Sequence, residues 1–232
     1  MSVKFIDISN HQGRDGLTDL SPLLRQVDGV VCKATEGTGF VDRYCDGYVS
    51  QLKKAGKCWG FYHFAGSGSP EGEARYFHDN CKGYFGHGVP VLDWEGNQSV
   101  SWVNRFVREL HGLTGVWCWI YANPWRFNQG GVERNCMRWV ASYPSVTHPT
   151  FEQASKWKVP SADGLVGAWQ FCSDGRLVGY RGNLDCDLFY GDDVAWRKYA
   201  GAGKPEKPQK PAESDKWRVT ESTDSKIVIE RK

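Results

Sequence analysis

Short apolar runs recur along this chain at intervals of roughly 25–30 residues, and amphipathic helical patterns lie between most of them. No other feature restricts the fold as much, because such alternation implies βαβ units around a parallel sheet. The runs are Val3–Ser9, Val30–Ala34, Cys58–Ala65, Val89–Leu92, Val116–Tyr121, Met137–Ala141, Gly167–Phe171 and Gly182–Phe189. Eight candidate strands within about 195 residues point to a closed barrel, a lean one for its class. Helices are expected over Tyr44–Ala55, from Ser69-Pro70 to Asn80, and over Ser99–His111 with Gly112 as the stop. Ser21-Pro22 reads as a further helix start, with Ser at the N-cap and Pro at N1. Asn10–Gly13 reads as a polar loop, as does the stretch from Tyr143 to Val159. Helical patterns thin out after Pro124. The fold class expected is therefore α/β: an irregular (β/α) barrel with a parallel sheet core and a helix-poor second half.

The composition changes at Gly201. Residues 1–200 are read as the barrel, 201–215 as a Pro/Lys-rich extended linker, and 216–232 as a short tail. Lys226–Glu230 has the pattern of a strand. A truncated module, an oligomerisation strand and disorder stay open as readings of the tail, and with them self-association through it. The net charge of +2 gives little support to a nucleic-acid partner. No apolar run reaches transmembrane length, so membrane insertion is not expected. The first residues hold no signal-peptide core, which sets the expectation of synthesis in the cytoplasm. None of the eight cysteines forms a C-x-x-C pair. No metal or cofactor is expected, and the thiols are read as reduced, with disulfides as the alternative.

Val89-Pro90-Val91-Leu92-Asp93-Trp94-Glu95-Gly96 carries the strongest chemical signal. A buried strand runs into two acids at i and i+2, which leave a strand on one face about 6–7 Å apart. Their mutual repulsion raises one pKa and suits one of them to donate a proton. Trp94, between them, is expected to face the other way. In parallel barrels the site lies at the C-terminal strand ends. Those ends carry Asp7, Glu36, Tyr62 and His63, Asp93 and Glu95, Tyr121 and Asn123, Trp169 and Gln170, and Asp185 and Asp187. Carboxylates walled by aromatic rings suit a polyhydroxylated substrate. The aromatic share of 14% fits a heavy core or an aromatic-lined groove.

Seven segments in order, Asp7–Gly13, Lys33–Gly37 with Phe40 and Asp42, Gly60–Phe64, Leu92–Glu95, Tyr121–Asn123, Trp169–Phe171 and Leu184-Asp185, resemble the glycoside hydrolase family 25 lysozymes. These are Chalaropsis-type muramidases, common among phage endolysins. The resemblance spans Lys4 to Tyr190. It implies an irregular β/α barrel and cleavage of the β-1,4 bond from N-acetylmuramic acid to N-acetylglucosamine in bacterial peptidoglycan, after release to the wall. By position, Glu95 matches the family's general acid/base. Asp93 matches the acid that stabilises the substrate's 2-acetamido group, Asp7 a catalytic-pocket aspartate, and Asp185 the acid of a C-terminal V-D-x-N-like motif. Asp187 stands where Asn is usual, which leaves open which of the two acids points inward. Tyr62, Tyr121 and Trp169 are expected as subsite walls. Glu36 is expected to bind a sugar or buttress Asp7, or to fix the Gly37–Gly39 loop. His63 is included among the substrate-side residues, although for His63 and His11 a hydrogen-bonded structural role is the favoured reading, because the acids suffice. A chitinase-like glycosidase and a silent wall-binding module are the rival readings.

Overall fold

The computed structural model describes residues 2–201, and the backbone of 217–223 and 226–231. The chain divides into two units after residue 202. In the first, nine strands form one sheet: β1 (Val3–Ile8), β2 (Gly29–Glu36), β3 (Phe40–Val41), β4 (Cys58–Phe64), β5 (Val89–Asp93), β6 (Trp119–Ala122), β7 (Arg138–Ala141), β8 (Val166–Gly175) and β9 (Leu184–Phe189). The order is β1-β9-β8-β7-β6-β5-β4-β2-β3, and a β1–β2 pairing closes eight of them into a barrel. β3 is a short antiparallel flap on β2. The barrel strands pair in parallel except β9, which is antiparallel to both β8 and β1.

Helices α1 (Asn10–Arg14), α2 (Cys45–Lys54), α3 (Pro70–Asn80), α4 (Val100–Thr114), α5 (Pro124–Phe127), α6 (Phe151–Ala154) and α7 (Asp193–Tyr199) fill the connections. The long ones, α2 to α4, all precede β6, so the second half is helix-poor as expected. Ser69 and Ser99 cap α3 and α4, accepting from the Gly72 and Trp102 amides at 3.2 Å each. Three local expectations are corrected. α4 runs through Gly112 and ends at Gly115, whose φ of +71° supplies the left-handed cap. Asn10–Gly13 is not a loop but most of α1, because Ser9 and Gln12 form a capping box. Ser21-Pro22 opens only a 3-10 turn over Leu23–Arg25, where Pro22 caps without a side-chain bond.

Strand parity divides the core in two. Phe5, Val31, Val89, Val91, Trp119, Trp139 and Phe189 point into the barrel. Phe61, Ile120 and Val140 point out of the barrel into the layer that holds Leu52, Phe77 and Phe106 of the helices. Trp196 of α7 plugs the lower end of the barrel. Its ring lies 5.1 Å from Phe5, 4.9 Å from Trp119 and 5.4 Å from Phe189, and its Nε1 donates to the Trp59 carbonyl at 3.0 Å. Gly60 lets β4 approach β5, since a Cβ there would lie 2.8 Å from the Val89 oxygen. The lower barrel is thus filled mainly by apolar rings, and most of the acids gather at the upper end. All eight cysteines are buried free thiols.

In the second unit, β10 (Trp217–Thr223) and β11 (Lys226–Arg231) form an antiparallel pair. β11 covers the strand expected at Lys226–Glu230, and β10 was not foreseen. Apart from Gly201, the expected linker lies outside the described residues.

Candidate active site

The C-terminal ends of the parallel strands open into a cavity of about 320 Å³. Asp7, Asp93, Glu95 and Asp185 all line it. Asp7 and Asp185 are register partners across β1 and β9. Because β9 runs the other way, Asp185 reaches the mouth from the start of its strand and the other acids from the ends of theirs. Asp93 closes β5 and is 8% exposed. Glu95, two residues on, is exposed, and the Asp93 carboxyl lies within hydrogen-bond reach of it.

The surroundings distribute charge unevenly among the acids. Burial first, then the charges of Glu95 and Asp7, hold Asp93 well above the usual carboxylate range, while Lys33 pulls the other way. Its Oδ1 is buried and meets no partner. Burial and then Asp185 raise Asp7. Burial and then Glu95 push Asp185 up to about 6. Gln170 opposes the rise at Asp7. Its Nε2 donates to Asp7 Oδ2 at 2.7 Å, and its Oε1 accepts from the Tyr121 hydroxyl at 2.7 Å and from Tyr143.

Of the expected side-chain partners, Tyr62 and Tyr121 line the cavity. Four lie elsewhere, which corrects the sequence reading. On β8 the inward positions are Ala168 and Gln170. Trp169 therefore faces outward, 2% exposed, with its Nε1 on the Ser142 carbonyl at 2.7 Å. His63 points outward from β4 and is fully buried. It bonds Thr35 at 2.8 Å and Glu73 at 3.0 Å and stacks on Phe106. Glu36 does not reach Asp7; it binds Lys33 Nζ at 2.6 Å. Asp185 and Asp187 both point inward but at different depths. Asp187 is fully buried below the cavity, accepts from Trp139 Nε1 at 2.9 Å, and stands within hydrogen-bond reach of Asp7. Trp94 is buried away from the acids, in the outer core, as expected.

Gln170, placed at a strand end by the sequence but given no role there, lines the cavity together with Lys33 and Tyr143, to which the sequence reading gave no place in it. A signal for Gln170 existed: Trp169 and Phe171 alternate as apolar outward residues, which leaves the amide on the inner face. Two clamps fix the loop that carries Glu95. Arg126 Nη2 donates to the Glu95 carbonyl at 2.7 Å, with its guanidinium over the Trp94 ring. Trp94 Nε1 donates to the Gln98 carbonyl at 2.8 Å, while the Gln98 amide holds the carbonyls of Ala65 and Gly66. Among the described residues no three His, Cys, Asp or Glu side chains are arranged to hold a metal ion.

An eight-stranded β/α barrel that gathers carboxylates and tyrosines at its mouth is the build of a barrel glycosidase. The profile of glycosyl hydrolases family 25 matches residues 6–180, and the chain belongs to that family. It is 27% identical over 196 residues to the autolytic lysozyme of Clostridium acetobutylicum, covering 81% of this chain and 56% of that protein. The chain thus spans little more than half that relative's length. Lysozyme M1 of Streptomyces globisporus is 29% identical over 211 residues, covering 82% of this chain and 68% of the relative. The structure of a family GH25 lysozyme from Aspergillus fumigatus superposes with a TM-score of 0.69 at 26% identity, covering 88% of this chain and all of the other.

Proposed function

We propose that this protein is a peptidoglycan hydrolase, a muramidase that cleaves the β-1,4 bond between N-acetylmuramic acid and N-acetylglucosamine with net retention. The observation that carries the reading is the Asp93–Glu95 pair: a buried acid with an unpartnered oxygen beside an exposed acid at the cavity mouth. In this reading Glu95 gives its proton to the glycosidic oxygen, which leaves as a neutral hydroxyl. The substrate's acetamido oxygen attacks the anomeric carbon as that bond breaks. Asp93, charged and within reach, accepts the acetamide N–H and balances the cyclic cation. Glu95, now a carboxylate, takes a proton from the water that opens the ring. Substrate participation of this kind is a recognised departure from the carboxylate-nucleophile scheme. Asp7 and Asp185 shape the field around the pair, and Tyr62 and Tyr121 wall the sugar.

Catalysis is assigned to residues 1–200 and a separate appended element to 216–232. The site of action is the wall polymer; no helix among the described residues is long and apolar enough to cross a membrane. Mass spectrometry of purified peptidoglycan digests tests the bond: muramic acid at the new reducing ends supports the reading, and glucosamine there overturns it. Absence of any new reducing end would leave a binding module instead.

A further inference from the structure

Lys33 is the only side chain of fixed positive charge among the described residues that line the acid cavity. It is 8% exposed, an unusual position for an ammonium. Lys33 pairs in register with Tyr62 on β4, and two residues further along that strand Phe64 pairs with Asp93 on β5. The ammonium lies 4.8 Å from the Phe64 ring centroid and 5.3 Å from that of Phe40. The cation is therefore seated on the ring that flanks Asp93. Glu36 pins it there at 2.6 Å from the far end of β2. The mechanism above uses neither residue.

We propose that Lys33 is a positioning cation for the acid pair: pinned by Glu36, its fixed charge keeps the pair's shared proton on Glu95, which meets the leaving oxygen, and off Asp93. The inference rests on the proposed function. Two coupled carboxyls holding one proton have two microstates, and the field decides between them. Asp7 from β1, Asp185 from β9, Glu95 on its own strand end and the hydroxyls of Tyr62 and Tyr121 from β4 and β6 surround Asp93. Of the acids, Glu95 and Asp7 favour a neutral Asp93, which cannot balance a cation in the substrate. Lys33 opposes them. Its charge also lowers both macroscopic ionisations of the pair, since a nearby cation favours carboxylates.

The test is the pH profile of kcat/KM on peptidoglycan for Lys33→Met and Lys33→Arg. Lys33→Met should move the whole bell toward higher pH by about one unit and cut kcat at pH 6 about tenfold. Lys33→Arg, always charged, should stay near the wild-type profile. A Lys33→Met bell at the wild-type position overturns the proposal. If Lys33→Met does not unfold cooperatively, Lys33→Gln is read in its place. In an Asp93→Asn background, Lys33→Met should add less than a twofold loss, because the partner it acts through is gone. A further tenfold loss there means that Lys33 meets the substrate directly, and it also overturns the proposal. Wild-type activity of Asp93→Asn alone would instead remove the functional reading on which this rests.

Discussion

Gln170 on β8 donates to Asp7 on β1 at 2.7 Å, across the intervening strand β9. The orientation of the amide is fixed by its other end, where the Tyr121 and Tyr143 hydroxyls both donate to Oε1. The nitrogen therefore faces Asp7. Gln170→Ala removes that donor and leaves the buried Tyr121 hydroxyl without its acceptor. Each such loss costs about 1–3 kcal/mol, and urea unfolding should show a total in that range or somewhat above. Asp7, relieved of the bond that lowers it, should ionise at higher pH, visible as a displaced carboxyl signal in an NMR titration. An unmoved signal would rule out the link.

Glu95→Gln keeps the shape of the exposed acid and removes its proton. Turbidity clearance should fall by about 10²–10⁴-fold, the usual range for a positioned proton donor. Co-sedimentation with peptidoglycan should be retained. A variant that clears walls at near the normal rate would take Glu95 out of the acid role.

Asp187 is a fully buried acid whose pKa is raised by burial and then by Asp7. A carboxyl raised in the folded state contributes its full stability below the unfolded pKa of about 3.9 and loses it as pH rises through the folded value. Asp187→Asn removes the ionisation and can still accept from Trp139. Its melting temperature should match the wild type near pH 3 and exceed it at pH 8. A difference independent of pH would mean that Asp187 has the same pKa in the folded and unfolded chains, and would overturn the raised value.

Glu73 accepts from the Gly66 and Gly68 amides at 2.7 and 2.6 Å and holds His63 at 3.0 Å. Burial lowers His63, and its bond to Glu73 works in the opposite direction. Glu73→Ala strands two amides and a buried ring, at a cost of about 3 kcal/mol. Hydrogen exchange should accelerate first at 66–68, and wild-type protection there would show that Glu73 does not hold the loop.

The barrel was legible because buried strands announce themselves by apolar runs, and strand ends by the acids that follow. Asp7, Asp93 and Glu95 were readable for that reason, whereas Asp185 opens antiparallel β9 and was picked out by the Leu184-Asp185 motif. Less legible was the face of the residues beside them, Trp94 apart. His63 and Trp169 sit one position from pocket residues, and a one-residue step reverses the side-chain direction. Glu36 and Lys33 were obscured by the irregular register between Lys33 and Thr35, where β2 pairs with β4. α1 was hidden because a five-residue helix has no apolar period to display, although its capping box was present.

The β1–β9 seam has a consequence for how activity appears during folding. β8 and β9 form a local hairpin, whereas joining β9 to β1 brings together Asp7 and Asp185 from opposite ends of the unit. Contacts of such long sequence separation close a large loop and are expected late. Two of the four acids face each other across that seam. A chain with every other strand in place but an open seam holds an incomplete site, so the first appearance of catalysis in a refolding experiment would time the closure of the barrel.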